Sequence, residues 1–95
     1  MVGIIPKIIL NNLPDSWEEK DQALHREYTF SSFEKALSFM RDCVTSIDSL
    51  NHHPEWSNTY NKVSVRLRTH DAGNIVTDKD YALATILEDI YLAQV

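Results

Sequence analysis

Three of the four histidines of this chain, His52, His53 and His70, stand where secondary-structure elements are expected to end. An imidazole titrates near pH 6.5 and can both donate and accept a proton at neutral pH, so side chains projecting from element ends into a cleft suit general acid–base work. The densest stretch is His52-His53-Pro54-Glu55-Trp56. Proline disfavours the helical region for the residue before it, so His53 should be extended while His52 still belongs to the end of the preceding element, and the two rings should diverge. Three readings stand side by side: surface histidines with Pro54 and Trp56 as packing, an acid–base pair, and a metal site. Zinc is disfavoured, because diverging neighbours do not chelate, no HExxH pairing is present, and the lone Cys43 falls inside an expected helix.

Other chemistries lack their signatures. No serine sits on a glycine-flanked elbow, and two glycines cannot build a phosphate-cradling loop. Asp48 lies four residues before His52, the spacing at which two helical side chains share a face and pair. Asp80 follows Thr77 by three residues and reads as the reciprocal half of a helix cap, which needs no catalytic role. Trp56 could stack on a planar ligand, although a buried strand tryptophan is the commoner arrangement. Glu55 is expected to be peripheral.

The elements that must carry these residues follow from periodicity. Pro6 opens a short helix through Leu10, ended by Asn11 to Ser16. From Trp17 the chain is extended, with Leu24, Tyr28 and Phe30 on one face and His25, Glu27 and Thr29 on the other; Arg26 has the buried parity. Ser31 and Glu34 have the form of a capping box before a helix with Phe33, Ala36, Leu37, Met40, Val44, Ile47 and Leu50 at helical spacing, stopping near Asn51. A strand over 55–60, a turn at Asn61-Lys62 and a strand over 63–69 follow. On the second of these His70 keeps the parity of Arg66 and Arg68. Thr77 then caps a final helix carrying Ala82, Leu83, Ile86, Leu87 and Ile90. The expected fold is α+β: a four-stranded antiparallel sheet with three helices on one face, in the order α-β-β-α-β-β-α, as a single domain over 1–95.

Composition sets the outer bounds. A net charge of −5, with 14 acidic against 9 basic residues, argues against direct nucleic-acid binding. The first ten residues lack the form of a secretory signal and no stretch is long enough to span a bilayer, so a soluble, cytoplasmic protein without a membrane partner is expected. Surplus apolar residues on the last helix, Tyr81, Ala84, Tyr91 and Leu92, suggest a subunit interface.

Several of these segments also occur together, in order, in a known family. His-His-Pro-Glu-Trp, then Tyr-Asn-Lys-Val-Ser-Val-Arg-Leu, Thr-His-Asp-Ala-Gly and Thr-Asp-Lys-Asp-Tyr-Ala-Leu-Ala, with Trp17, Arg26 and Phe30 to Met40 upstream, closely resemble the pterin-4a-carbinolamine dehydratases. The resemblance implies the same α+β fold and dehydration of 4a-hydroxytetrahydropterin to quinonoid dihydropterin, in tetrahydrobiopterin recycling, with neither metal nor organic cofactor. It implies that His53 and His70 serve as the acid–base pair, that His52 binds and orients the pterin, and that Asp48, Thr69 and Asp80 support them. It also implies a homo-oligomer, a dimer or tetramer, and an alternative role as a dimerisation cofactor or transcriptional coactivator, or an assembly factor, with a protein partner and a nuclear location. One departure stands out: the loop from the Thr-His-Asp-Ala-Gly motif to Asp80 is one residue longer than the family pattern.

Overall fold

A computed structural model describes residues 13–94. Strands β1 (Glu18–Lys20) and β2 (Ala23–Thr29) form a hairpin, helix α1 (Phe33–Leu50) follows, strands β3 (Glu55–Thr59) and β4 (Lys62–Leu67) form a second hairpin, and helix α2 (Asp78–Gln94) ends the description. All pairings are antiparallel and the strand order is β1-β2-β4-β3, so β2 and β4 lie at the centre. The α+β class and the four-stranded sheet agree with the sequence reading. The helix count does not: the described residues contain two α-helices, not three, and the opening helix expected over Pro6 to Leu10 lies outside them. Two helices are enough to seal the apolar face of the sheet. Leu24, Tyr28, Val63, Val65 and Leu67 are buried beneath Ala36, Phe39, Cys43 and Ile47 of α1 and Leu83, Ala84 and Leu87 of α2. Each large apolar side chain buried in this way contributes roughly 1.5–3 kcal/mol.

Both hairpins turn without glycine. Asp21 and Gln22 both take positive φ, 53° and 60°, the sense of backbone twist that suits a two-residue link between strands. The second turn falls on Tyr60 and Asn61, one residue before the expected position, and Tyr60 has φ 50°. Asn61 anchors that turn to the end of β2: its side-chain amide donates to the Phe30 carbonyl at 2.8 Å, and its own carbonyl accepts from Phe30 N–H at 2.8 Å.

Helix α1 begins one residue later than its capping box suggests. Ser32, not Ser31, is extended (φ −158°, ψ 167°) and its hydroxyl accepts from Lys35 N–H at 3.1 Å. Of the expected stripe only Ala36 and Ile47 are buried; Phe39 and Cys43 join them, while Phe33, Leu37, Val44 and Leu50 face outward. The helix stops at Asn51 as expected, in the left-handed conformation (φ 52°, ψ 43°), its N–H directed to the Asp48 and Ile47 carbonyls.

Two turns further along α2 than Asp80, Glu88 ties the helix to β2 and to Trp17, the residue before β1. Its carboxylate accepts from Trp17 Nε1 at 3.1 Å, Tyr28 Oη at 2.9 Å and Arg26 Nε at 3.2 Å. The Arg26 guanidinium also lies over the Tyr28 ring, 4.1 Å from its centroid. Burial pushes Glu88 toward protonation, but the hydrogen bonds from Arg26 and Tyr28 outweigh it and hold the carboxyl below the usual range.

Candidate active site

The left-handed stop at Asn51 decides where the two adjacent histidines go. Because the helix ends there, His52 leaves the helical register and turns inward, reaching Asp80 at the start of α2: Nε2 lies 2.6 Å from Oδ1. The pairing of His52 with Asp48 expected from helical spacing is therefore corrected, since that spacing aligns two side chains only while the helix continues. Asp48 instead meets His53, Oδ1 to Nε2 at 3.3 Å, with both side chains more than 60% exposed. Pairs this exposed contribute little. The two rings diverge, as the proline implies: His52 is buried and His53 open.

Asp80 does more than cap a helix. Its side chain is fully buried, and Oδ2 accepts from Thr77 N–H at 2.8 Å and from the Thr69 hydroxyl at 2.8 Å. Thr69 has one hydroxyl proton and spends it on Asp80, so the 2.6 Å contact between the two threonine hydroxyls is a bond donated by Thr77. With Oδ2 saturated, Oδ1 accepts from His52 Nε2, and the neutral imidazole then carries its lone pair on Nδ1.

His70 comes from the turn after β4. Thr69 pairs with Ile75, its N–H donating to the Ile75 carbonyl at 2.8 Å, and a short 3₁₀ turn over His70–Ala72 closes the loop between them. Gly73 and Asn74 carry positive φ of 92° and 62°. The exposed His70 ring lies between two acceptors: Nδ1 is 2.7 Å from Asn74 Oδ1, and Nε2 is 3.6 Å from Glu55 Oε2.

His52, His53 and His70 share one cleft of about 190 Å³ with Asn51, Thr69, Asp71 and Lys79. The sequence-derived candidates are thus largely gathered at one place, Asp80 and Thr69 as the buried support behind it. Trp56 is not brought there. It is half-buried, packs against the core, and lines a separate depression on the sheet with His25, Glu55 and Arg66. Among the described residues no three His, Cys, Asp or Glu side chains converge at a spacing that could hold a metal ion.

Three contributors escaped the sequence reading. Lys79 enters the cleft from the first turn of α2. Asn74 sits in the loop between His70 and α2. Glu55 is not peripheral: it binds the Arg66 guanidinium, accepts from Arg68 Nε at 2.9 Å, and faces His70. The bonds from Arg66, ahead of the opposing effect of burial, hold its carboxyl below the usual carboxylate range. The signal was present in the strand parity that puts Arg66, Arg68 and His70 on one side, with Glu55 facing Arg66 across the hairpin.

The result is a small α+β domain that presents three imidazoles around a polar cleft, one of them clamped by a buried carboxylate. Residues 7–90 match the family model described as pterin 4 alpha carbinolamine dehydratase, and the chain belongs to that family. It is 50% identical over 74 residues to a protein of Opitutus terrae named "Putative pterin-4-alpha-carbinolamine dehydratase", covering 78% of this chain and 76% of that one. A protein of the same name from Solibacter usitatus is 47% identical over 73 residues, covering 77% and 76%. The fold is similar to that of a crystal structure titled transcriptional coactivator/pterin dehydratase from Brucella melitensis, with TM-score 0.79, 36% identity, and coverage of 90% of this chain and 92% of that one. Among the described residues no helix is long and apolar enough to cross a membrane.

Proposed function

We propose that the chain dehydrates 4a-hydroxytetrahydropterin to quinonoid dihydropterin by histidine acid–base catalysis, as a hydro-lyase acting in tetrahydrobiopterin recycling in the cytoplasm. The observation that carries this reading is the shared cleft of His52, His53 and His70, in which one ring is immobilised and two are open. Elimination needs a proton delivered to the 4a-hydroxyl as the C4a–O bond breaks and water leaves, and a proton removed from N5 as the C4a–N5 double bond forms. His53 and His70 are exposed, so each can exchange protons with ligand and solvent; they are assigned the two transfers. His52, gripped by Asp80, is assigned the binding and orientation of the pterin. Asp48, paired with His53, supports it from the rim.

Stopped-flow measurement of carbinolamine dehydration tests the proposal, and a chain that gives no acceleration over the spontaneous reaction overturns it. His53→Ala is expected to lower kcat on the order of 10²-fold, the contribution of a positioned acid or base. Of the surplus apolar residues expected to form a subunit interface on the last helix, Ala84 is fully buried and Tyr81 and Tyr91 pack against the core, leaving Leu92 exposed; the homo-oligomer implied by the family would instead cover Phe33, Leu37 and Val44 on the outer face of α1, and light scattering would give its size.

A further inference from the structure

Among the described residues, His70 is the one histidine with both ring nitrogens facing side-chain acceptors from two different elements. Nδ1 is within hydrogen-bond distance of Asn74 Oδ1, and Nε2 faces Glu55 at a separation beyond a hydrogen bond, where only charge acts. We propose that the Asn74 carboxamide holds neutral His70 in its Nδ1–H tautomer, making Nε2 the nitrogen that exchanges protons with the ligand, while Glu55 faces that nitrogen as a fixed anion. The inference rests on the dehydratase reading for its catalytic consequence, but the tautomer is a property of the protein alone.

The surrounding groups support this assignment. A carboxamide oxygen only accepts, so a 2.7 Å contact from Nδ1 requires the proton to be there. Glu55 is kept ionised by Arg66 of β4 and by Arg68 just after that strand, so it offers no proton to Nε2 and receives none in the range where imidazole titrates. Asp71 adjoins His70 in the turn, and His52, His53 and Lys79 face it across the cleft; none of them bonds either ring nitrogen. Asn74 has φ 62°, a conformation that asparagine tolerates and glycine adopts freely. The residue at this point of the loop thus supplies both the backbone turn and the acceptor.

Asn74→Gly removes the carboxamide while suiting the same backbone, so the fold should survive. In ¹⁵N NMR of the ligand-free, histidine-labelled chain above the imidazole titration range, His70 is expected to give the Nδ1–H pattern. In Asn74→Gly it should change toward the Nε2–H pattern that an unconstrained imidazole prefers. Asn74→Asp, which keeps an acceptor oxygen, should restore the original pattern. With the carbinolamine, Asn74→Gly should lower kcat roughly tenfold at nearly unchanged KM, about one decade of what a positioned acid or base supplies. An Nε2–H pattern in the unaltered chain, or a pattern unmoved by Asn74→Gly, overturns the proposal whether or not the chain is active. Failure of the unaltered chain to accelerate dehydration, with the Nδ1–H pattern present, overturns the functional reading and leaves the tautomer assignment standing.

Discussion

Helix α2 carries two carboxylates eight residues apart, the fully buried Asp80 and the half-buried Glu88, and each gathers at least three hydrogen bonds. Their difference is in their partners. Glu88 is surrounded by an indole, a phenol and a guanidinium, none of which changes charge near neutral pH; it fastens the helix to the sheet and lines no part of the histidine cleft. Asp80 faces a histidine at the wall of that cleft, so the saturation of its oxygens fixes an imidazole that a ligand can meet. Saturation of a carboxylate therefore says that it is held, and only the kind of group it holds separates a fastener from part of a site.

That contrast can be broken from either end. Asp80→Asn keeps the shape but leaves one accepting oxygen for His52, Thr69 and Thr77 together, so His52 is held less firmly, and the misplacement is expected to cost on the order of 10²-fold in kcat/KM, measured in the stopped-flow assay. Should activity fall no further than in surface variants, Asp80 would be a cap and nothing else. Glu88→Ala leaves the Arg26 charge half-buried without a partner and should destabilise the fold by about 3–5 kcal/mol, read from urea unfolding. The folded fraction should turn over normally, because the affected contacts lie away from the cleft.

Acid separates the hubs more gently. Glu88 in the folded chain sits below its ordinary value of 4.5, so its contribution to stability is present above that value and is lost as pH falls through the lower folded one. The melting temperature should drop as pH falls below that ordinary value, and Glu88→Gln should flatten that part of the curve. Asp48→Asn is the mildest case. Its exposed pair with His53 predicts less than about a threefold change in kcat; a larger loss would give the rim a bigger share of the work than the geometry assigns it.

Much of this was legible in sequence because it depends on local rules. Strand alternation found the inner face of β4, and a one-residue error in its turn was harmless there: moving both turn positions by one shifts cross-strand partners by two and preserves which face each side chain takes. The apolar spacing of α1 found the helix but not its buried side, since nine apolar residues supply two stripes and only packing against β2 and β4 selects Phe39 and Cys43. Burial accordingly pushes the Cys43 thiol up to about 12, which suits filling rather than reactivity. The pairing of His52 with Asp80 was out of reach of any local rule, for it joins residues 28 apart through the docking of α2. Trp17, Arg26 and Glu88 are separated still further, and no spacing rule links them.

Asn51 bears on how such a site could be moved. The five-residue motif after it has no fixed destination of its own: on a helix that ran one turn further, His52 would meet Asp48 in solvent and Asp80 would be left buried without it. Transplanting the histidines into another scaffold would require bringing the single left-handed residue ahead of them, and its substitution by a β-branched residue should scramble the wiring while leaving all three imidazoles in the chain.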